Sequence, residues 1–167
     1  MKKLLTLLMM AAFSFMIISC DTRDDRVDQD TYSVVYDLAN VDFIYSAADG
    51  YTISRNMNIY TSDVLLMYRR AGSTPTGQPV WQQIPKTIYL NGGNELDYDF
   101  DFSSKDFVIY ANGNYDLSTT PQFINGQTFR IVIVPGSFGT QKSQVDHSDY
   151  HSVIKHYNID DSKAVKL

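Results

Sequence analysis

From Tyr32 onward the chain alternates apolar and polar residues in short runs, and Gly, Pro, Asn or Asp interrupts each run before it grows long. A side-chain period of two, broken this often, predicts strands with no interval for βαβ crossovers, and therefore an antiparallel all-β domain. Tyr32, Val34 and Tyr36 alternate with Ser33, Val35 and Asp37, and Val41, Phe43 and Tyr45 alternate with Asp42, Ile44 and Ser46, which predicts two strands. Asp49-Gly50 is a turn, followed by a broken strand region with Ile53 and Ile59. The run from Val64 is apolar on both faces until Arg69-Arg70, as expected of a central strand that emerges into water at its end. AGSTPTGQP, from Ala71 to Pro79, is a loop.

Val80 to Ile84 and Lys86 to Leu90 read as a strand pair or as one strand broken by Pro85, since proline cannot donate to a central ladder. Asn91-Gly92-Gly93-Asn94 offers several positions for φ > 0 and joins the second of these runs to Glu95–Phe102 as a hairpin. Further strands are expected at Phe107 to Ala111 and at Phe129 to Val134, with a loop around Pro121 and Asn125-Gly126 between them. After Gly139 the period changes. Tyr150, Val153, Ile154 and Tyr157 stand at i, i+3, i+4 and i+7, the stripe of a short amphipathic helix that Asp146 or Ser148 could cap. The expected fold is all-β, an antiparallel two-sheet β-sandwich of immunoglobulin-like type with a short C-terminal helix docked on it; a small closed β-barrel is the alternative.

The N-terminus has a different logic. Lys2 and Lys3 precede an uncharged apolar run from Leu4 to Ile18, and Ser19 precedes Cys20, the only cysteine in the chain. This three-part pattern is that of a lipoprotein signal peptide over residues 1–19, with Cys20 as the lipidated residue. The apolar run is shorter than the roughly 20 residues of a membrane span and ends against Asp21. Residues 20–30 follow as the lipidated Cys and an acidic tether. DTRDDRVDQD, from Asp21 to Asp30, is too polar to bury itself and reaches at most roughly 35 Å. The sandwich is expected over 31–139 and the helical tail over 140–167.

The whole chain has 14 Lys plus Arg against 19 Asp plus Glu. Loss of Lys2 and Lys3 with the signal leaves 12 basic against 19 acidic residues, a mature net charge of −7. A field of that sign, with no basic cluster, argues against nucleic acid as a partner. A lone cysteine leaves no intrachain disulfide, thiolate zinc cluster or CxxC pair, so stability must come from packing.

Motifs of catalysis are absent from the sequence. Gly136-Ser137-Phe138-Gly139 has the wrong spacing for a nucleophile elbow, Lys142-Ser143 lacks the glycine of a P-loop, and no G-x-G-x-x-G follows a strand, so no cofactor is expected. Glu95, Asp97, Asp99 and Asp101 alternate with Leu96, Tyr98, Phe100 and Phe102, but a calcium loop starting at Asp97 would need glycine at Phe102 and glutamate at Val108. On an extended strand such carboxylates stand roughly 6.6 Å apart, which suits protection of an edge better than wrapping an ion. His147 and His151 are weak metal candidates, spaced as for one helical turn without the H-E-x-x-H glutamate. Trp81, Tyr68 and Tyr89 are the candidate platform on which a glycan or a protein could stack.

The stretches YRR at Tyr68 to Arg70, WQQIP at Trp81 to Pro85, ELDYDFDF at Glu95 to Phe102 and FRIVIVPGSF at Phe129 to Phe138, together with the lipobox and the Tyr150 to Asp161 tail, resemble a family of small uncharacterised lipoproteins of Bacteroidota. The resemblance implies a location rather than a chemistry: Asp21 and the Asp24-Asp25 pair look like the export signal of outer-membrane, surface-displayed lipoproteins of that phylum. The functional expectation is a lipid-anchored, non-catalytic module of the outer membrane that binds or scaffolds another envelope component, an envelope protein or a glycan. The alternatives are a glycan-binding surface lipoprotein, a periplasm-facing orientation and, third, a hydrolase whose carboxylate pair the sequence does not single out.

Overall fold

A computed structural model of the chain describes residues 33–136 and 145–167. Residues 1–32, where a signal peptide, Cys20 and an acidic tether are expected, and residues 137–144, which include Lys142-Ser143, lie outside the described residues.

Among the described residues, ten strands make two sheets. The first contains β1 (Val34–Val41), β4 (Val64–Ser73), β5 (Pro79–Ile84), β9 (Gln127–Val134) and β10 (Val165–Lys166), in the order β10-β1-β9-β4-β5. The second contains β2 (Ile44–Ser46), β3 (Gly50–Asn56), β6 (Lys86–Tyr89), β7 (Glu95–Phe102) and β8 (Asp106–Gly113), in the order β2-β3-β8-β7-β6. Every pairing is antiparallel except that of β10 with β1. Both sheets are open, so the fold is a β-sandwich and not a closed barrel.

Between the sheets lies the main core, with Leu38, Leu65, Met67, Phe129, Ile131 and Ile133 of the first sheet against Ile53, Leu96, Tyr98, Phe107 and Ile109 of the second. A smaller core lies on the other side of the first sheet. There Val35, Leu66, Tyr68, Val132 and Val134 are covered by the tail, whose helix α1 (Tyr150–His156) contributes Tyr150 and Val153. The first sheet is therefore apolar on both faces, which is why β4 and β9 read as continuous hydrophobic runs. Among the described residues nothing covers the outer face of the second sheet in this way, and that face carries the alternating carboxylates of β7.

Several elements differ from the sequence reading. β1 is one strand running through Val41, with its register shifted between Leu38 and Val41 and Asn40 at φ 56°. Asparagine tolerates that left-handed conformation better than most residues. Proline 85 does break its strand, but it does so by passing the chain from the first sheet, in β5, to the second, in β6. Arg69 does not emerge into water. It shares the inward face of β4 with Leu65 and Met67 and is buried, donating through Nε to Gln127 Oε1 at 2.9 Å with its guanidinium 4.6 Å over the Tyr98 ring. Arg70, on the opposite face, is the residue that reaches solvent. The helix cap is Asp149, which accepts from the His151 amide at 3.0 Å and from Ser152 Oγ at 2.6 Å. Asp146 instead caps the preceding turn through Ser148.

Candidate functional site

The densest meeting of charged and aromatic side chains is where the tail crosses the first sheet. Arg130 alternates outward from Ile131 on β9 and so points under the tail. Its Nε and Nη2 donate to the two carboxylate oxygens of Asp37 on β1 at 2.6 and 2.7 Å, and its Nη1 donates to Tyr150 Oη at 2.7 Å and to Asp161 at 3.1 Å. Tyr150 in turn donates to the same Asp161 oxygen at 2.5 Å. The guanidinium lies 4.7 Å above the Trp81 ring. Burial opposes the charge on Arg130, but the bonds to Asp37 and Tyr150 outweigh it and hold the group even further above the ordinary arginine range. Burial and the bond to Asp161 likewise push the Tyr150 phenol up, against the pull of Arg130. With its donors engaged on two carboxylates and a phenol, this cluster is a clamp that fastens β1, β9 and the tail.

The three candidate platform residues do not form one surface. Tyr68 is fully buried, donates to the His147 carbonyl at 2.8 Å and packs edge-on against Tyr150 at 5.2 Å. Trp81 is half-buried against the same Tyr150 at 5.8 Å, beneath Arg130. Both pack against Tyr150 in the floor on which the tail docks, and Arg130 covers one face of the Trp81 ring. Tyr89, 76% exposed, stands apart on β6 at the rim of the second sheet.

The uncovered face of the second sheet holds a different arrangement. Cross-strand pairing sets Thr87 beside Asp97 and Asp97 beside Asn112, with Asp99 opposite Tyr110 in the next row. Thr87 Oγ1 donates to Asp97 at 2.5 Å. Pro85, Lys86, Thr87, Asp97, Asp99 and Asn112 border a shallow groove of about 400 Å³. Desolvation, then the charge and hydrogen bond of Asp101, raises the Tyr110 phenol, and Asp49 and Asp99 add to it. The groove mixes hydroxyl, amide, ammonium and carboxylate groups on a rigid sheet, a set suited to binding hydroxyl-bearing ligands through paired donors and acceptors. Asp99 and Asp101 lie past the end of β6, on the stretch of β7 left without a neighbour on that side. Asp99 turns back to accept from the Phe100 amide at 2.7 Å, a use of carboxylates that fits edge protection.

His147 precedes the cap of α1, so the one-turn spacing to His151 does not place both rings on one helical face. His147 Nε2 lies 3.3 Å from Tyr157 Oη, beside an apolar hollow of about 240 Å³ lined also by Val64, Leu66 and Val134. Among the described residues no three His, Cys, Asp or Glu side chains converge as metal ligands. Cys20, Asp21, Asp24 and Asp25 lie outside the described residues. The Arg130 clamp has no sequence motif, although a lone arginine in a strand apolar on both faces is itself a signal, because arginine is seldom buried unless paired.

No protein-family model, no curated protein and no solved structure matches the chain.

Proposed function

We propose that this chain is a lipid-anchored lipoprotein of the cell envelope whose sandwich binds or scaffolds another envelope component without catalysing a reaction. The proposal rests on the N-terminal sequence: a basic pair, an uncharged apolar run and a sole cysteine at its end, followed by an acidic stretch. The acidic residues Asp21, Asp24 and Asp25, with the likeness to Bacteroidota lipoproteins, favour the outer membrane and surface display. The Cys20 thiol is the acceptor for the lipid, and serine offers no thiolate for acyl transfer. Labelled palmitate should enter the wild type and be absent from Cys20→Ser; label retained in the variant would defeat the assignment.

The groove on the second sheet favours glycan binding as the second reading, moved from Trp81 and Tyr68 to Lys86, Thr87, Asp97, Asp99 and Asn112. Titration with oligosaccharides, followed by amide chemical shifts, tests it. Saturable shifts centred on Asn112 and Thr87, lost in Asp97→Ala, would support a sugar site, and flat titrations across a broad glycan panel would remove it.

A further inference from the structure

Three large apolar side chains that the core does not use stand at one end of the sandwich: Tyr60 at 64% exposure, Val64 at 48% and Phe102 at 46%. Register fixes their common location. Val34 and Leu65 both pair with Ile133, from opposite sides of β9, and Val64 pairs with Val134, so the chain enters β1, at Ser33, level with Val64 across β9. Phe102 is the last residue of β7 before the turn into β8. That turn is bonded to the segment carrying Tyr60, through the Met57 amide to the Lys105 carbonyl at 2.8 Å and the Ile59 amide to the Ser104 carbonyl at 3.1 Å. These three side chains and the point of chain entry therefore share one end of the sandwich.

We infer that this end rests on the lipid surface, with Tyr60, Val64 and Phe102 immersed at the level of the headgroups. The inference depends on the lipid-anchor reading, which it deepens by giving the domain an orientation. Twelve residues separate Cys20 from Ser33. Fully extended, they reach roughly 40 Å, so the anchor permits contact without enforcing it. What the anchor does supply is a high effective concentration of bilayer, on the scale of a short flexible linker, so a patch too weak to bind from solution suffices once tethered. Tyrosine is also among the residues enriched where membrane meets water, because its ring is apolar and its hydroxyl is wet. The mature charge of −7 disfavours anionic lipid, which leaves apolar contact as the attraction. The opposite end, with the turn Asn91–Gly93 and the loop from Asn114 to Gly126, then faces away from the membrane.

The test places tryptophan reporters at Tyr60→Trp and, separately, Phe102→Trp, with Asn91→Trp as the reporter for the far end. Trp81, the only native tryptophan, is the internal reference. Protein purified from membranes is returned to phosphatidylcholine vesicles that carry brominated acyl chains, after the mass of its N-terminal peptide has established a lipid on Cys20. The added emission of Tyr60→Trp and Phe102→Trp should fall at least about twofold relative to unbrominated vesicles, the behaviour of side chains seated at the interface, while that of Asn91→Trp should not change. Equal emission from all three would mean that the sandwich stands clear of the bilayer, and selective loss from Asn91→Trp would invert the orientation; either overturns the inference. If the peptide mass shows no lipid, the anchor reading has failed on its own. The same reporters in a Cys20 to Leu167 chain, coupled through its single thiol to a maleimide lipid, then decide whether this end still seeks the bilayer.

Discussion

Asp37 and Arg130 sit directly opposite each other on β1 and β9 and share two parallel hydrogen bonds, of 2.6 and 2.7 Å. The fork of a guanidinium matches a carboxylate in this way and an ammonium does not. Arg130 is only 13% exposed, so removing Asp37 leaves its charge mostly buried, with Asp161 as the remaining anion.

Asp37→Ala should therefore cost about 2 to 3 kcal/mol, somewhat below the roughly 3 to 5 of a fully buried pair broken on one side. Hydrogen exchange should show the loss first in the tail, at the Val153 and Tyr157 amides. A variant as stable as wild type, with the tail still protected, would show that Asp161 and Tyr150 suffice.

Ile131 is wholly buried between the sheets at the centre of β9, and β9 lies between β1 and β4. Ile131→Ala should cost about 2 to 5 kcal/mol in urea unfolding, whereas Asp99→Ala on the open face should cost under about 1. The reverse order would make the acidic row of β7 a structural element and leave β9 peripheral.

Burial raises the phenols of Tyr68, Tyr98 and Tyr150, and Tyr98 is pushed from its ordinary 10.0 up to about 12. An unfolded chain loses these protons near pH 10 while the folded chain keeps them, so the stability that depends on them is present below pH 10 and declines as the pH rises toward 12. Thermal melts between pH 9 and 12 should show that decline, and Tyr98→Phe should make it shallower despite losing the bond to the Phe123 carbonyl. An unchanged pH dependence in Tyr98→Phe would assign the alkaline sensitivity to other groups.

At Gly113, where β8 ends, a Cβ would stand 2.7 Å from Leu117 Cδ2 and 2.9 Å from the Glu95 carbonyl oxygen. Leucine can move and the strand carbonyl cannot do so without cost, so Gly113→Ala should destabilise by about 1 to 3 kcal/mol, as overpacking does. Gly77, with open space around it, makes a poor comparison because its φ of 85° strains any side chain; Gly72 is the proper control, and Gly72→Ala should be nearly neutral.

The strands were legible because their period depends on backbone geometry alone. Ile131 and Ile133 inward, Val132 outward and the tail stripe of Tyr150 and Val153 all follow from it. Pairing between distant residues leaves no such trace. Nothing near Arg69 announces Gln127, so that arginine read as a strand end meeting water, and nothing near Arg130 announces Asp37. Trp81 and Tyr68 looked like a platform because aromatic residues carry the same signature on a binding surface as under a docked helix. Val165 and Lys166 were unreadable as a strand, since two residues have no period; it is the exposed edge of β1 that recruits them.

The position of β9 also sets an order of events. It joins β1 to β4, pairing Val34 with Ile133 and Leu65 with that same residue, so a chain made or threaded from its N-terminus holds two halves of the first sheet that have nothing between them until residue 134 arrives. The hairpins β6-β7-β8 close over short distances in the meantime. Contacts of long sequence separation make for slow folding and leave strand edges open while they wait. Until β9 has been delivered, the edges of β1 and β4 that face it therefore have no partner, and a companion that shields them during that interval would act on folding yield without touching the stability of the finished protein.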